Sequence, residues 1–145
     1  MRSLPVIVAL VATLVLAAPA GAAVKRLEAN LSGSSTSDAN GSGTAKLRLD
    51  RAKKKVCFTL RVRRIGDVAA AHIHAGGAGV DGSIVVDLVT EPEDGDTFTG
   101  CTTGVAKSTI GAILEKPRRY YVNVHTTDHP GGAVRGQLHK PPKNT

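Results

Sequence analysis

Residues 56–63 read VCFTLRVR, and this stretch is the clearest indication of the fold. Its first, third, fifth and seventh residues are apolar, whereas the residues between them tolerate water. Because successive side chains of an extended chain point to opposite faces, the pattern predicts a β-strand with one buried and one wetter face. Leu47 and Leu49 alternate with charged residues in the same way. About four turn-like residues separate the two segments, so we expect a β-hairpin.

Alternating or β-branched segments recur outward from this hairpin, separated by turns rich in Gly, Asp and Pro. Further strands are predicted at residues 27–31, 68–74, 83–89, 97–103, 120–125 and 133–139. Residues 107–116 form the one predicted helix, because apolar side chains share a face, Ser108 offers a cap and Pro117 ends it. The sequence therefore predicts an all-β fold, an antiparallel Greek-key-like β-sandwich with one short helix.

The N-terminus predicts export. Arg2 precedes an apolar run at residues 4–18, and the small residues 20–22 (AGA) offer a cleavage site. The apolar run is about 15 residues long, whereas a helix needs roughly 20 to span a bilayer. A cleavable signal peptide over residues 1–22 is therefore favoured over an uncleaved anchor. We expect a secreted or periplasmic product with no transmembrane anchor after cleavage.

The rest of the chain is expected to form one domain over residues 23–140, followed by a polar tail at residues 141–145. Removal of Arg2 with the signal peptide changes the formal net charge from +7 to +6. The cations are scattered and few aromatic side chains accompany them, which argues against nucleic acid as a partner. Either these cations form a solvated β-face, or they attract an anionic cell-surface or extracellular-matrix component.

Cys57 and Cys101 are the only cysteines. In an exported chain an even number of cysteines predicts a disulfide rather than metal ligands, with two buried free thiols as the alternative. A bridge would close a loop of about 44 residues, which is worth roughly 4 kcal/mol of stability in the chain-entropy account.

Histidine provides the main chemical signal. His72 and His74 are separated by one residue on a predicted strand, so both rings point to one face, roughly 6.5–7 Å apart. Tyr121, Asn123 and His125 share one face of another predicted strand. If the two strands are neighbours, three imidazoles come together, and imidazole is a ligand for copper and zinc.

Structural roles for these residues are the alternative, since the rings of His72 and His125 could bond backbone carbonyls or Asn123 and hold loops in place. In a metal site, His129 in the adjacent turn is the natural fourth ligand. Asn123 would orient a ring from outside the coordination sphere, and Arg135 would steer an anion. No serine-nucleophile motif or phosphate loop occurs, so no catalytic residue is predicted.

Two segments of the chain resemble a known family. Residues 71–74 read AHIH and precede a glycine-rich loop and a strand at residues 84–86. Residues 120–126 read YYVNVHT, and PGGAVRGQL follows at residues 130–138. Together they resemble the CHRD (chordin-type) domain over about residues 25–140. The resemblance implies a β-sandwich module that occurs in chordin, a growth-factor antagonist, and as single secreted bacterial domains.

This resemblance favours a secreted CHRD-domain binding or structural module with no assigned catalysis. Growth-factor antagonism does not carry over, because the chain has none of chordin's cysteine-rich modules. The HIH strand is also similar to the copper-binding strand of Cu/Zn superoxide dismutases. That similarity implies the alternative function, a copper-binding carrier or dismutase-like redox enzyme that uses His72, His74 and His125. The sequence leaves open whether the protein is an enzyme.

Overall fold

A computed structural model of the protein describes residues 23–34 and 36–143. The predicted signal peptide, residues 1–22, lies outside the described residues. The strands and the α-helix, in chain order, are β1 (Lys25–Ser32), β2 (Ser42–Asp50), β3 (Lys55–Arg63), β4 (Val68–Ala75), β5 (Ile84–Val89), β6 (Thr97–Thr103), α1 (Lys107–Glu115), β7 (Tyr120–Thr126) and β8 (Val134–Gln137), and a single 3-10 turn, Pro117–Arg119, follows α1.

The first three strands form an antiparallel meander whose register follows the alternation in the sequence. Leu27 pairs with Leu47, and Leu47 pairs in turn with Phe58. All three side chains are buried in the core, whereas their neighbours along each strand point outward. The predicted hairpin between the second and third strands is therefore confirmed.

The eight strands form one antiparallel sheet in the order β5-β4-β7-β8-β1-β2-β3-β6. The chain crosses between the two halves of this sheet after β3 and after β5, and again through α1, so that β3 pairs with β6 and β4 with β7. The edge strands β5 and β6 approach each other, and the Thr102 hydroxyl donates to the Asp87 backbone carbonyl between them. The sheet thus nearly closes around the core, and the predicted antiparallel all-β fold with one short helix is confirmed.

Helix α1 closes one end of the core, with Ile110 and Ile113 fully buried beneath it. The prediction that Ser108 caps this helix is wrong. Ala106 holds the capping position and has no side-chain oxygen, whereas Ser108 lies inside the first turn, where its backbone is already helical. None of the helices in the described part of the chain is long and apolar enough to cross a membrane.

A disulfide joins the two cysteines, as predicted. Cys57 on β3 and Cys101 on β6 are direct partners in the strand register, and their sulfur atoms are bonded. The bond therefore fixes the edge strand β6 to its inner neighbour, β3. It closes a loop with a sequence separation of 44 residues that includes β4 and β5.

Candidate metal centre

Strands β4 and β7 are neighbours, as the histidine hypothesis requires. His72 pairs with Asn123 across the two strands, and His125 lies two positions further along β7. Ile73, between His72 and His74, is fully buried in the core. The alternation of the strands therefore sends all three histidines to the outer face of the sheet.

Two glycine-rich loops, residues 76–83 and 127–133, cover this outer face. Gly82 in the first loop donates its backbone N–H to the Tyr121 hydroxyl at 3.1 Å. A Cβ atom at Gly82 would lie 1.4 Å from the Ala75 carbonyl oxygen, so the backbone approaches as closely as only glycine permits. Because of this cover, His74 is only 8% exposed although it lies outside the core.

The three imidazole rings lie close together. Ring centroids are 5.0 Å apart for His72 and His125, 5.7 Å for His72 and His74, and 5.8 Å for His74 and His125. One candidate ligand nitrogen from each ring lies within 4.8 Å of the other two. Two nitrogens that share an ion at about 2 Å each are at most about 4 Å apart, so the rings need to approach one another only slightly. The cluster is compatible with a metal site.

Two of the three rings are oriented by a backbone carbonyl, and the third faces a carboxylate. His74 Nδ1 lies 2.8 Å from the Gly82 carbonyl oxygen, and His125 Nδ1 lies 2.9 Å from the Pro130 carbonyl oxygen. Because a carbonyl only accepts, both Nδ1 atoms must carry a proton, so in the neutral form of each ring Nε2 has a free lone pair. His72 Nε2 faces Asp87 Oδ1 at 3.7 Å, and this carboxylate favours the proton on that nitrogen.

The remaining nitrogen of each ring is buried and has no hydrogen-bond partner within the described residues. These atoms are His72 Nδ1, His74 Nε2 and His125 Nε2. A buried polar atom without a partner costs about 1–3 kcal/mol, and most structures avoid it. Three such atoms, one from each ring of a single cluster, therefore require an explanation beyond the holding of loops.

The surroundings of His72 and His125 favour the neutral imidazole, which is the form that binds a metal. Burial is the main cause that lowers the pKa of His72 below its usual value of 6.5, and His125 lowers it further. The Asp87 carboxylate raises this pKa, whereas His74 lowers it. Burial likewise lowers the pKa of His125, against the opposing effect of its bond to the Pro130 carbonyl.

Tyr121 connects the histidines to Arg135. The Tyr121 ring stacks on His74 with centroids 5.0 Å apart and planes 14° apart. The Arg135 guanidinium lies over the same ring, 3.6 Å from its centroid. Arg135 also donates to Asp81 Oδ1 at 2.9 Å and to the Val80 carbonyl. The arginine thus lies beside the cluster, with part of its charge balanced by Asp81.

Asn123 and His129 belong to the turn that covers the cluster. Asn123 Nδ2 donates to the Gly131 carbonyl, one residue beyond the carbonyl that orients His125. Its effect on the ring is therefore exerted through the turn. His129 lies outside the group of three, with its backbone N–H bonded to the Thr126 hydroxyl. Its role as a fourth ligand stays a prediction.

Comparison with protein families identifies the chain. The model of the CHRD domain family matches residues 27–138, which include every strand from β2 to β8 and all three clustered histidines. The protein belongs to the CHRD domain family. Membership suggests a binding or structural module and, with the disulfide, is compatible with an extracellular or periplasmic location. No curated protein matches the chain.

Sequence reasoning allowed for backbone carbonyls as partners of His72 and His125, and His125 has one, but it did not identify which groups orient the rings. The carbonyls of Gly82 and Pro130 are backbone atoms, and no residue type in the sequence marks them. Asp87 did leave a signal, because it is the one carboxylate in the apolar strand IVVDLV. A charged residue within such a strand either faces water or lies beside a group that interacts with its charge.

Proposed function

We propose that this CHRD domain binds a single copper ion through His72 Nδ1, His74 Nε2 and His125 Nε2. The observation that supports the proposal most directly is that these three buried nitrogens lack hydrogen-bond partners while the opposite nitrogen of each ring faces an oxygen. In metal sites the second ring nitrogen of a histidine ligand is usually held by a carbonyl or carboxylate in this way.

The donor set favours copper over zinc. All three ligands are neutral nitrogens, and imidazole suits both metals. Divalent copper binds such sites more tightly than zinc does, following the Irving–Williams order. A divalent ion would also leave the net charge of this cluster positive. A copper site of this kind therefore depends on the nearby Asp87 carboxylate to balance part of the charge.

Three protein ligands leave room for water or a small ligand on the ion, as in catalytic metal sites. The protein would thus serve as a copper carrier or as a redox enzyme of the dismutase type. Arg135 lies beside the cluster and could attract an approaching anion. However, its guanidinium already donates hydrogen bonds to Asp81 and to the Val80 carbonyl. These bonds favour the carrier.

The test is a titration of the mature protein with Cu²⁺ and, separately, with Zn²⁺. We expect one copper ion per chain with submicromolar affinity, weaker zinc binding, and a Cu²⁺ spin-resonance spectrum with coupling to nitrogen. The His72→Ala/His74→Ala double variant should lose the site. His139→Ala is the matched control, because the His139 ring bonds its neighbouring carbonyl and lies outside the cluster.

Several outcomes decide the proposal. Absence of stoichiometric binding to the folded wild type, or equal binding by the double variant, would overturn it. If zinc binds more tightly than copper, the three-histidine site is retained, but zinc replaces copper as the metal that we propose. His129→Ala measures the predicted fourth ligand, and a dismutase assay of the copper-loaded protein separates enzyme from carrier.

A further inference from the structure

The half of the sheet remote from the histidines carries a second surface, formed by the outward side chains of β1, β2, β3 and β6. We call it the basic face, and its six cations are Arg26, Lys46, Arg48, Lys55, Arg61 and Arg63. Glu28 and Asp50 are the acidic residues on these strands, and Asp50 is buried in a turn where it accepts from the Lys53 N–H. The ion pairs found among the described residues include none of the six cations.

A shallow trough of about 520 Å³ crosses the basic face. Its floor is the backbone of one register row, in which Leu27, Leu47, Phe58 and Gly100 lie side by side. The two flanking rows supply its walls: Arg26, Arg48, Cys57 and Cys101 on one side, and Glu28, Lys46, Thr59 and Thr99 on the other. The trough spans four strands, and because three spacings of about 4.8 Å separate them, it is about 14 Å long.

Two positive charges along the trough are paired in a way that is expected to lower the stability of the fold. Arg26 and Arg48 are direct partners across β1 and β2, and like charges in that position repel. Glu28, opposite Lys46, is the one acidic residue in the walls. A sheet arranged for stability alone would alternate the signs of such pairs. An anionic ligand seated between the two rows would remove the repulsion.

We propose that the basic face binds a linear anionic polysaccharide, one chain segment of which lies in the trough. Arg26, Arg48 and Lys46 bind its carboxylate or sulfate groups. The arginine guanidinium matches such planar or multidentate oxygen groups well. The hydroxyls of Thr59 and Thr99 donate to and accept from the sugar hydroxyls.

The chemistry of the face favours a polysaccharide over the other common polyanions. Single-stranded nucleic acid is bound by stacking on aromatic side chains, yet Phe58 and Phe98 point into the core. Stable membrane binding adds inserted apolar side chains to the basic charge. The exposed large apolar residues of the described chain are Val24, Val80 and Ile84, and none of them lines the trough.

The experiment measures binding of the mature full chain to polygalacturonate and to dextran sulfate, with uncharged dextran as the blank. We expect binding to a charged glycan that weakens as salt rises. The Arg26→Gln/Arg48→Gln variant should bind about tenfold more weakly, since it removes two charge-assisted contacts. Copper binding by the same variant should not change, because the histidines lie on the other half of the sheet.

Arg118→Gln/Arg119→Gln is the matched control, because it removes the same charge from exposed positions after α1. Its glycan affinity should fall less than about twofold. Equal losses in the two variants would mean that net charge alone attracts the glycan, and this would overturn the proposal. So would the absence of glycan binding at low salt, or tighter binding to single-stranded DNA or to phosphatidylglycerol vesicles. Thermal melts of both variants confirm that they fold.

Discussion

The two halves of this sheet share one strand geometry and yet present opposite kinds of outer surface. On the β4–β7 half, two glycine-rich loops fold over the strands and cover three imidazoles. On the β2–β3 half, the strands are joined by the short turn at residues 51–54, and the outward cations stay in water. The difference teaches that the connections decide which chemistry an outward-facing side chain can perform.

Water explains why the same alternation has different consequences on the two halves. Under the loops the unpaired imidazole nitrogens are shielded from solvent, and the proposed copper ion would give them a partner. On the open face water solvates the cations, so uncompensated charge is tolerated without a partner. The comparison can be tested by four experiments that act on one half and leave the other as a reference.

The largest expected effect is the removal of the disulfide. Cys57→Ser/Cys101→Ser should lower the free energy of unfolding by about 4 kcal/mol, because the unfolded chain regains the freedom of a 44-residue loop. Urea denaturation measures the loss. Copper affinity at a temperature where the variant is folded should stay within about twofold, since the bond lies on the basic half. A loss of copper binding by the folded variant would show that the halves are coupled.

The next effect concerns the loop over the histidines. Gly82→Ala should weaken copper binding by about 10–100-fold, because the new Cβ collides with the Ala75 carbonyl and displaces the carbonyl that orients His74. Gly77→Ala, in the same loop, meets no atom within 4 Å and should bind as the wild type does. Isothermal titration compares the two. Equal affinities would mean that the loop does not orient the ring.

The third effect is a dependence of stability on pH. We expect it to come from the histidines of β4 and β7. Burial lowers the pKa of His72 and His125 in the folded state below 6.5, so the unfolded chain binds more protons near that pH. The free energy of unfolding of the metal-free protein should therefore fall as pH drops from 7.5 through 6.5 toward the lowered pKa values. Urea midpoints in the presence of a chelator measure this slope. His72→Asn/His125→Asn should flatten it, and an unchanged slope would assign it to other groups.

The smallest expected effect has the opposite sign. Arg26→Glu should raise the free energy of unfolding by about 0.5 kcal/mol, because a like-charged cross-strand pair with Arg48 becomes an attractive one. The same change should weaken binding to dextran sulfate. Thermal melts at low salt and glycan binding measure the two results. A variant that is no more stable than the wild type would show that the arginine pair carries no strain.

Most of the fold could be predicted from the sequence because strand alternation is a local property. The stretch VCFTLRVR predicts β3, and the structure confirms it as Lys55–Arg63 with its apolar residues inside. The end of α1 was predicted within one residue, whereas its cap was not. A cap depends on the dihedral angles of the residue before the helix, and residue types indicate these only weakly.

The candidate site could be predicted in part. Pairing of the two histidines on β4 follows from their spacing, and their meeting with His125 needed only that β4 and β7 be neighbours. The stacking of Tyr121 between His74 and Arg135 could not be foreseen. It depends on the register of three strands, and residues far apart in the chain set that register.

By itself the sequence determined which side chains share a face, since a period of two along an extended backbone leaves no other arrangement. Only the tertiary structure decided which nitrogen of each imidazole points inward, because the oxygens that the rings face come from β5 and from two loops. The tertiary structure likewise gathered the scattered arginines and lysines of β1, β2 and β3 into one basic face. The order of charges along the chain does not indicate which of them are neighbours in space, because strand pairing decides that.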